Sequence, residues 1–329
     1  MAAYRKPPRL REGMTLGVVA PSSPVLEHGD VNRGVAGLER LGFRLVFGAH
    51  ARDSRGYLAG QDADRADDLL TMLERDDIDA VIGLRGGYGA GRTLNAINTA
   101  AGRARLARLA DTPPKAVIGY SDITMIHALI GRELGWTSFY GPVVTSFVRA
   151  TDYTIAAFRQ ALLATEPFDI LPDPDDPYTE TIVPGIAEAE LAGGCLSLVV
   201  STLGTPWEID LRGKLFFFED VHEEPYGIDR LLTHLLAAGK IQECAGIIIG
   251  EHANCRQRTP TNTLGLGQVF DDLIRPLGIP TLYNLPIGHG KHQATLPLGV
   301  RARLDATART LRVLEAGVRG VGRAPGRGA

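Results

Sequence analysis

The run Lys115-Ala116-Val117-Ile118-Gly119-Tyr120-Ser121-Asp122-Ile123-Thr124 sets one hydroxyl at the break between an apolar strand and the start of a helix. A sharp strand-to-helix turn holds a serine clear of the sheet. The amide of the next residue, Asp122, then lies at a helix N-terminus, where partial positive charge suits an oxyanion. A G-x-S-x-G elbow would carry a second glycine where this chain has Ile123. The same residues also read as a plain helix start, with Ser121 as N-cap and Asp122 in the first turn. The readings differ in what else the chain must supply, because a nucleophilic hydroxyl needs a base to take its proton and a third group to orient that base.

Among eight histidines, His289 stands between glycines in Leu285-Pro286-Ile287-Gly288-His289-Gly290, just past the apolar strand Pro280 to Pro286. A loop of that kind can reach across a cleft. His292 is its rival, whereas His127, six residues beyond Ser121 on the same expected helix, should point away from the elbow as a packed or surface residue. The carboxylate comes from Lys214-Leu215-Phe216-Phe217-Phe218-Glu219-Asp220-Val221, a strand apolar enough to be covered on both faces, as in a parallel sheet. Glu219 then sits at the strand's C-terminal end, where α/β proteins place functional groups. A buried carboxylate without a partner is costly, and an imidazole N–H would serve. The alternative is that Glu219 or Asp220 caps the helix expected from near Pro225 through Ile228, Leu231, Leu232 and Leu235.

These groups need a scaffold. Residues 14 to 20, 42 to 48, 78 to 84 and 115 to 119 are short apolar runs separated by amphipathic helical patterns, for example Asp62 to Glu74 with Ala66, Leu69, Leu70 and Leu73. That alternation predicts an α/β fold with a parallel sheet covered on both faces. The proline- and acid-rich stretch from Glu166 to Pro177 reads as an interdomain linker, extended to 188, between an N-terminal unit 1–165 and a smaller C-terminal α/β unit 189–316. Strands are expected there around Leu215, Ile247 and Leu282 and in Leu298 to Leu314, followed by a mobile glycine- and arginine-rich tail, 317–329. Ser121 then belongs to one unit and Glu219 and His289 to the other, so the site is interdomain.

Composition narrows the partners. With 35 basic against 38 acidic residues the chain has no field for nucleic acid or an anionic membrane. No run approaches the ~20 apolar residues of a membrane span and the first residues lack a signal-peptide core, so a cytoplasmic protein acting on small molecules is expected. Cys195, Cys244 and Cys255 form no C-x-x-C pair, which points to buried thiols rather than disulfides or a zinc site, and no metal or cofactor is expected. The glycine loop Gly83-Leu84-Arg85-Gly86-Gly87-Tyr88-Gly89-Ala90-Gly91 could bring amides to an anion, yet it matches neither a P-loop nor G-x-G-x-x-G.

Taken together, Gly-Tyr-Ser-Asp at Ser121, Phe-Glu-Asp-Val at Glu219, Glu224-Pro225-Tyr226-Gly227-Ile228-Asp229-Arg230 and Gly-His-Gly at His289 resemble the LD-carboxypeptidases. These serine peptidases include murein tetrapeptide carboxypeptidase and the microcin C self-immunity proteins. Val19-Ala20-Pro21-Ser22-Ser23-Pro24, Arg85-Gly86-Gly87-Tyr88-Gly89 and Gly193-Gly194-Cys195-Leu196-Ser197 extend the resemblance over most of the chain. Cys195 departs from it, since a polar residue such as asparagine is expected after the two glycines. The resemblance implies a flavodoxin-like N-terminal sheet with a nucleophile elbow and a metal-independent Ser121–His289–Glu219 triad. Gly87, or Gly86, and Asp122 would donate to the oxyanion. Tyr120 and Arg85 would be substrate contacts, the arginine weighed against a structural salt bridge. The implied substrate is the L,D-amide of a terminal D-alanine on a cytoplasmic muropeptide, with a homodimer as the one protein partner. The rival branch cleaves peptidyl or aminoacyl nucleotides and would offer an aromatic platform from the interdomain loop; residues 166 to 190 hold Phe168 and Tyr178 but no tryptophan. A two-domain solute-binding protein is the non-catalytic alternative, disfavoured by the complete Ser/Glu/His set.

Overall fold

The computed structural model describes residues 3–258 and 262–320. Five strands come first: β1 (Thr15–Val19), β2 (Arg44–Phe47), β3 (Ala80–Gly83), β4 (Ala116–Gly119) and β5 (Ser138–Tyr140). They run parallel in the order β2-β1-β3-β4-β5. Successive residues of the central strands feed two separate cores, Val18, Ile82 and Ile118 on one face and Val19, Val81 and Val117 on the other. Each strand is therefore apolar throughout, as burial on both faces requires. The helix Asp62–Glu74 turns Ala66, Leu69, Leu70 and Leu73 inward, as its spacing predicts.

The chain then builds β6 (Phe168–Ile170), β7 (Glu180–Val183), β8 (Ile186–Cys195), β9 (Leu215–Val221), β10 (Gly246–Ala253) and β11 (Thr281–Leu285). Next, β12 (Leu296–Leu298) returns to the first sheet and pairs antiparallel with β5, before β13 (Arg301–Asp305) and β14 (Thr310–Val313) rejoin the second. That second sheet has the order β6-β14-β13-β8-β9-β10-β11-β7. It is parallel from β8 to β11 and antiparallel at both flanks.

The structure differs from the sequence reading in three places. Residues 166–188, expected as a linker, contribute β6 and β7, which form the two edges of the second sheet. Prolines flank these short strands, and an edge strand tolerates neighbouring prolines because one side of it makes no ladder bonds. The C-terminal unit, expected to be the smaller, carries the larger sheet, eight strands against six. Of the tail expected to be mobile over 317–329, residues 317–320 are held down: Val318 is buried, the Arg319 amide donates to Pro7 O (2.8 Å) and Arg319 O accepts from the Arg9 amide (3.0 Å). The remainder lies outside the described residues.

Candidate active site

Ser121 follows β4 directly and has φ of +64°, a left-handed conformation that costs a serine energy and is kept only where the surroundings impose it. The sequence between two buried elements imposes it here, since Gly119 ends the strand and a 3₁₀ turn, Ser121–Ile123, begins at once. The N-cap position of that turn is Tyr120 and Ser121 is its first residue, so the N-cap reading is not realised. Gly86 lies against it: a Cβ there would stand 2.9 Å from Ser121 Cβ and 3.1 Å from its Oγ, so only glycine lets the loop approach this closely. The Gly86 carbonyl accepts from the Ser23 amide at 3.3 Å, which fixes the plane of the Gly86–Gly87 peptide.

Glu219, at the end of β9, is fully buried and its two oxygens are both engaged. Oε1 accepts from the Tyr140 hydroxyl at 2.5 Å and Oε2 accepts from His289 Nδ1 at 2.7 Å. With Nδ1 carrying its hydrogen toward a carboxylate, Nε2 is left with the lone pair of a base. The loop bearing His289 closes over Glu219 at Gly288, where φ is +115° and a Cβ would fall 2.3 Å from Oε2. The same Tyr140 oxygen accepts the Ser121 backbone N–H at 3.1 Å, and the Tyr120 ring lies 4.8 Å from the His289 ring. One hydrogen-bonded path thus joins the Ser121 amide, Tyr140, Glu219 and His289 across the two sheets. Burial and the adjoining Glu219 carboxylate hold the Tyr140 hydroxyl well above the usual tyrosine range, so it stays a donor.

The neighbouring acid serves another purpose. Asp220 Oδ2 accepts from the Ser197 amide (2.8 Å) and Oδ1 from the Val221 amide (2.8 Å), and burial raises its carboxyl. It also takes the Cys195 thiol at 3.6 Å. Cys195 is itself held through its backbone, whose N–H donates to Thr124 Oγ1 at 3.1 Å. Asp122 is buried, and its side chain accepts from the Ala90 amide at 2.7 Å, tying the elbow to the first helical residue after the glycine loop. Burial pushes that carboxyl up as well.

The other candidates separate in space. His127 is packed beneath the elbow: Nε2–H donates to Gly119 O (2.9 Å) and Nδ1 accepts from the Ser138 hydroxyl (2.9 Å), and burial lowers its pKa to about 4. His292 is buried away from Glu219, with Nδ1 2.9 Å from Thr151 Oγ1. His292 forms with Asp173 and Asp175 one of two groupings among the described residues whose ligand atoms lie within 4.8 Å of one another, the other being His50, Asp53 and Asp64. Neither includes Ser121, Glu219 or His289. Arg85 is exposed and donates to Pro24 O at 3.1 Å, without a carboxylate partner among the described residues. Tyr140 was not singled out from sequence, although its position at the C-terminal end of β5, opposite Gly119 in register, marks it by the same strand-end rule that marks Glu219. Glu251 was also missed; it packs under Gly290, and burial, then Asp173 and Glu219, raise its carboxyl to about 7.

A serine on a strained strand-to-helix turn, linked through its backbone N–H and Tyr140 to a buried carboxylate that holds a histidine, within a two-sheet α/β fold, fits the class of serine hydrolases. Comparison with known proteins narrows this. The LD-carboxypeptidase N-terminal domain matches residues 16–141 and the LD-carboxypeptidase C-terminal domain residues 188–304. The probable murein peptide carboxypeptidase of Bacillus subtilis (strain 168) is 40% identical over 316 residues, 95% of each chain. The crystal structure of muramoyltetrapeptide carboxypeptidase from Oxalobacter formigenes is 27% identical, with a TM-score of 0.77 over 92% of this chain and 99% of that one. The microcin C7 self-immunity protein MccF, 23% identical, shares the fold at a TM-score of 0.84 over 95% and 99% of the two chains. The chain belongs to the LD-carboxypeptidase family and is a serine-type carboxypeptidase. No helix among the described residues is long and apolar enough to cross a membrane.

Proposed function

We propose that this enzyme removes the terminal D-amino acid from cytoplasmic murein peptides by cleaving an L,D-amide, with Ser121, His289 and Glu219 as its triad. The observation that carries the reading is the hydrogen-bonded path from the Ser121 amide through Tyr140 to Glu219 and His289. His289 Nε2 takes the Ser121 proton as Oγ bonds to the carbonyl carbon. The carbonyl oxygen becomes an oxyanion facing backbone amides. The Asp122 N–H is one donor, because among the described residues it has no other partner. Gly87 N–H is the second: in a trans peptide it points opposite to the Gly86 carbonyl, which is turned toward Ser23. Each such donor contributes about 3 kcal/mol in the transition state. The protonated His289 then gives its proton to the departing amine, the C–N bond breaks, and water, deprotonated by the same nitrogen, releases the acyl group from Ser121.

Two facts favour murein peptides over a peptidyl nucleotide. Two relatives, 40% and 27% identical, carry murein-peptide names. Both tryptophans, Trp136 and Trp207, are buried in the first unit's core, so neither can form a stacking platform for a base. Incubating the purified enzyme with a tetrapeptide ending in D-alanine should release D-alanine by mass spectrometry, and Ser121→Ala should abolish release while keeping the thermal midpoint within a few degrees. Near-normal turnover by Ser121→Ala would remove Ser121 as nucleophile. Cleavage of an aminoacyl sulfamoyl nucleoside in place of the tetrapeptide would transfer the enzyme to the rival branch.

A further inference from the structure

Beside the triad lies a polar cavity of about 250 Å³, lined by Tyr120, Ser146, Arg149, Gly290, Lys291 and Gln293 among others. Its position relative to the reacting groups is set by two contacts. The Tyr120 ring lies against the His289 ring, centroids 4.8 Å apart and tilted by 59°, and Gly290 and Lys291 directly follow that histidine in the chain. Neither oxyanion donor, Asp122 nor the glycine loop with Gly87, contributes to its wall. The cavity therefore opens on the histidine side of the scissile bond, where the departing nitrogen collects its proton, and not on the oxyanion side. A group two bonds from that nitrogen, the carboxylate of the departing residue, falls within reach of it.

The charges in the wall are unequal. Lys291 Nζ is bound to Asp175 at 2.5 Å, and Asp30 is taken by Arg33. Arg149, exposed at the end of the 3₁₀ turn Val144–Val148, has no side-chain partner among the described residues. An unpaired guanidinium at a polar, hydroxyl-bearing cavity matches a carboxylate, which its planar fork binds through two parallel hydrogen bonds. The space also sets a limit. At 250 Å³ it falls short of the ~300 Å³ at which pockets begin to hold drug-sized ligands, which suits one small residue and its carboxylate.

We infer that this cavity is the seat of the substrate's terminal carboxylate, with Arg149 as its receptor. The inference rests on the proposed triad only for the direction in which the substrate lies. It explains why one enzyme would ignore amides inside a chain: without a free carboxylate two bonds from the departing nitrogen, Arg149 stays unpaired and the peptide is held less well near His289.

The test compares a tetrapeptide ending in free D-alanine with the same peptide as its C-terminal amide, on wild type, Arg149→Met and Arg149→Lys. Wild type should prefer the free acid by roughly a hundred-fold in kcat/KM, the scale of a lost charge-assisted pair. Arg149→Met should lose about that factor on the acid, mostly in KM, and change less than about three-fold on the amide, with Arg149→Lys between them. Equal loss on both peptides, or none on the acid, would overturn the assignment. Arg149 is exposed and unpaired, so its variants should keep the wild-type thermal midpoint. Calorimetric binding of both peptides to Ser121→Ala, with and without Arg149→Met, reads the same preference without turnover. If wild type cleaves neither peptide yet Ser121→Ala binds the acid through Arg149, the proposed murein-peptide hydrolysis falls and the carboxylate seat stands; if binding is indifferent to both the carboxylate and Arg149, the seat falls alone.

Discussion

Glu219 and Asp220 show how much one residue's direction decides. Neighbours on a strand face opposite ways, and here the first meets His289 and Tyr140 while the second receives the amides of Ser197 and Val221. Glu219→Gln keeps the shape but removes the charge that stabilises an imidazolium and lets the ring take the wrong tautomer. Turnover should fall roughly a hundred-fold or more with a modest change in KM. Asp220→Asn should cost less than about ten-fold in turnover and instead lower the thermal midpoint, since Asp220 anchors the start of the helix Leu196–Ser201. Steady-state kinetics and melting of both variants decide the assignment: a crippled Asp220→Asn beside a near-normal Glu219→Gln would reverse it. The pairing of Glu219 with a histidine is legible in the sequence, because a carboxylate ending so apolar a strand must find a partner. Tyr140 as a second partner is not legible, because that contact joins strands of different sheets, 79 residues apart.

At the scale of elements, the elbow is held from below. His127, on the helix Thr124–Leu129, ties the end of β4 to β5 by bonding Gly119 O and the Ser138 hydroxyl as a neutral ring. Burial lowers its pKa from 6.5 to about 4, so the folded state excludes a proton that the unfolded chain accepts. The sign follows: this stabilisation is complete above pH 6.5 and is lost as pH falls toward 4, while other buried acids titrate in their own directions in both wild type and variant. The difference in unfolding free energy between wild type and His127→Asn should therefore shrink on acidification from pH 7 to pH 4, by up to about 3 kcal/mol. Denaturant melts of the pair across that range provide the measurement: a difference constant with pH would mean that burial leaves the ring's titration unshifted, and one that grows on acidification would place a charged ring there. Helical spacing six residues past Ser121 predicts a packed ring pointing away from the elbow; the ring is packed, but against the elbow's own Gly119 carbonyl. The spacing says nothing of that carbonyl.

For the whole molecule, the two sheets are interleaved by the chain itself. β12 comes from beyond the second sheet's parallel strands, yet it covers the edge of β5, whose three residues are all buried. A fragment of residues 1–165 would lose that strand and leave β5 as a bare apolar edge, so alone it should aggregate or remain unfolded. Co-expression with residues 166–329 should rescue it. A soluble, cooperatively melting 1–165 fragment would show the first unit to be independent. Periodicity alone determines β1 to β4, the helix Asp62–Glu74 and the apolar strand before Glu219, because alternating strands and helices write their burial directly into residue type. The types and order of Ser121, Glu219 and His289, set in the motifs around them, determine the family. Only the tertiary structure decided that residues 166–188 pair as edge strands, that Gly86 rather than Gly87 abuts Ser121, and that Tyr140 joins the nucleophile's amide to Glu219. Each is a contact between segments distant in sequence. Local patterning records how buried a residue is, whereas the identity of its neighbour is settled only when the sheets close on one another.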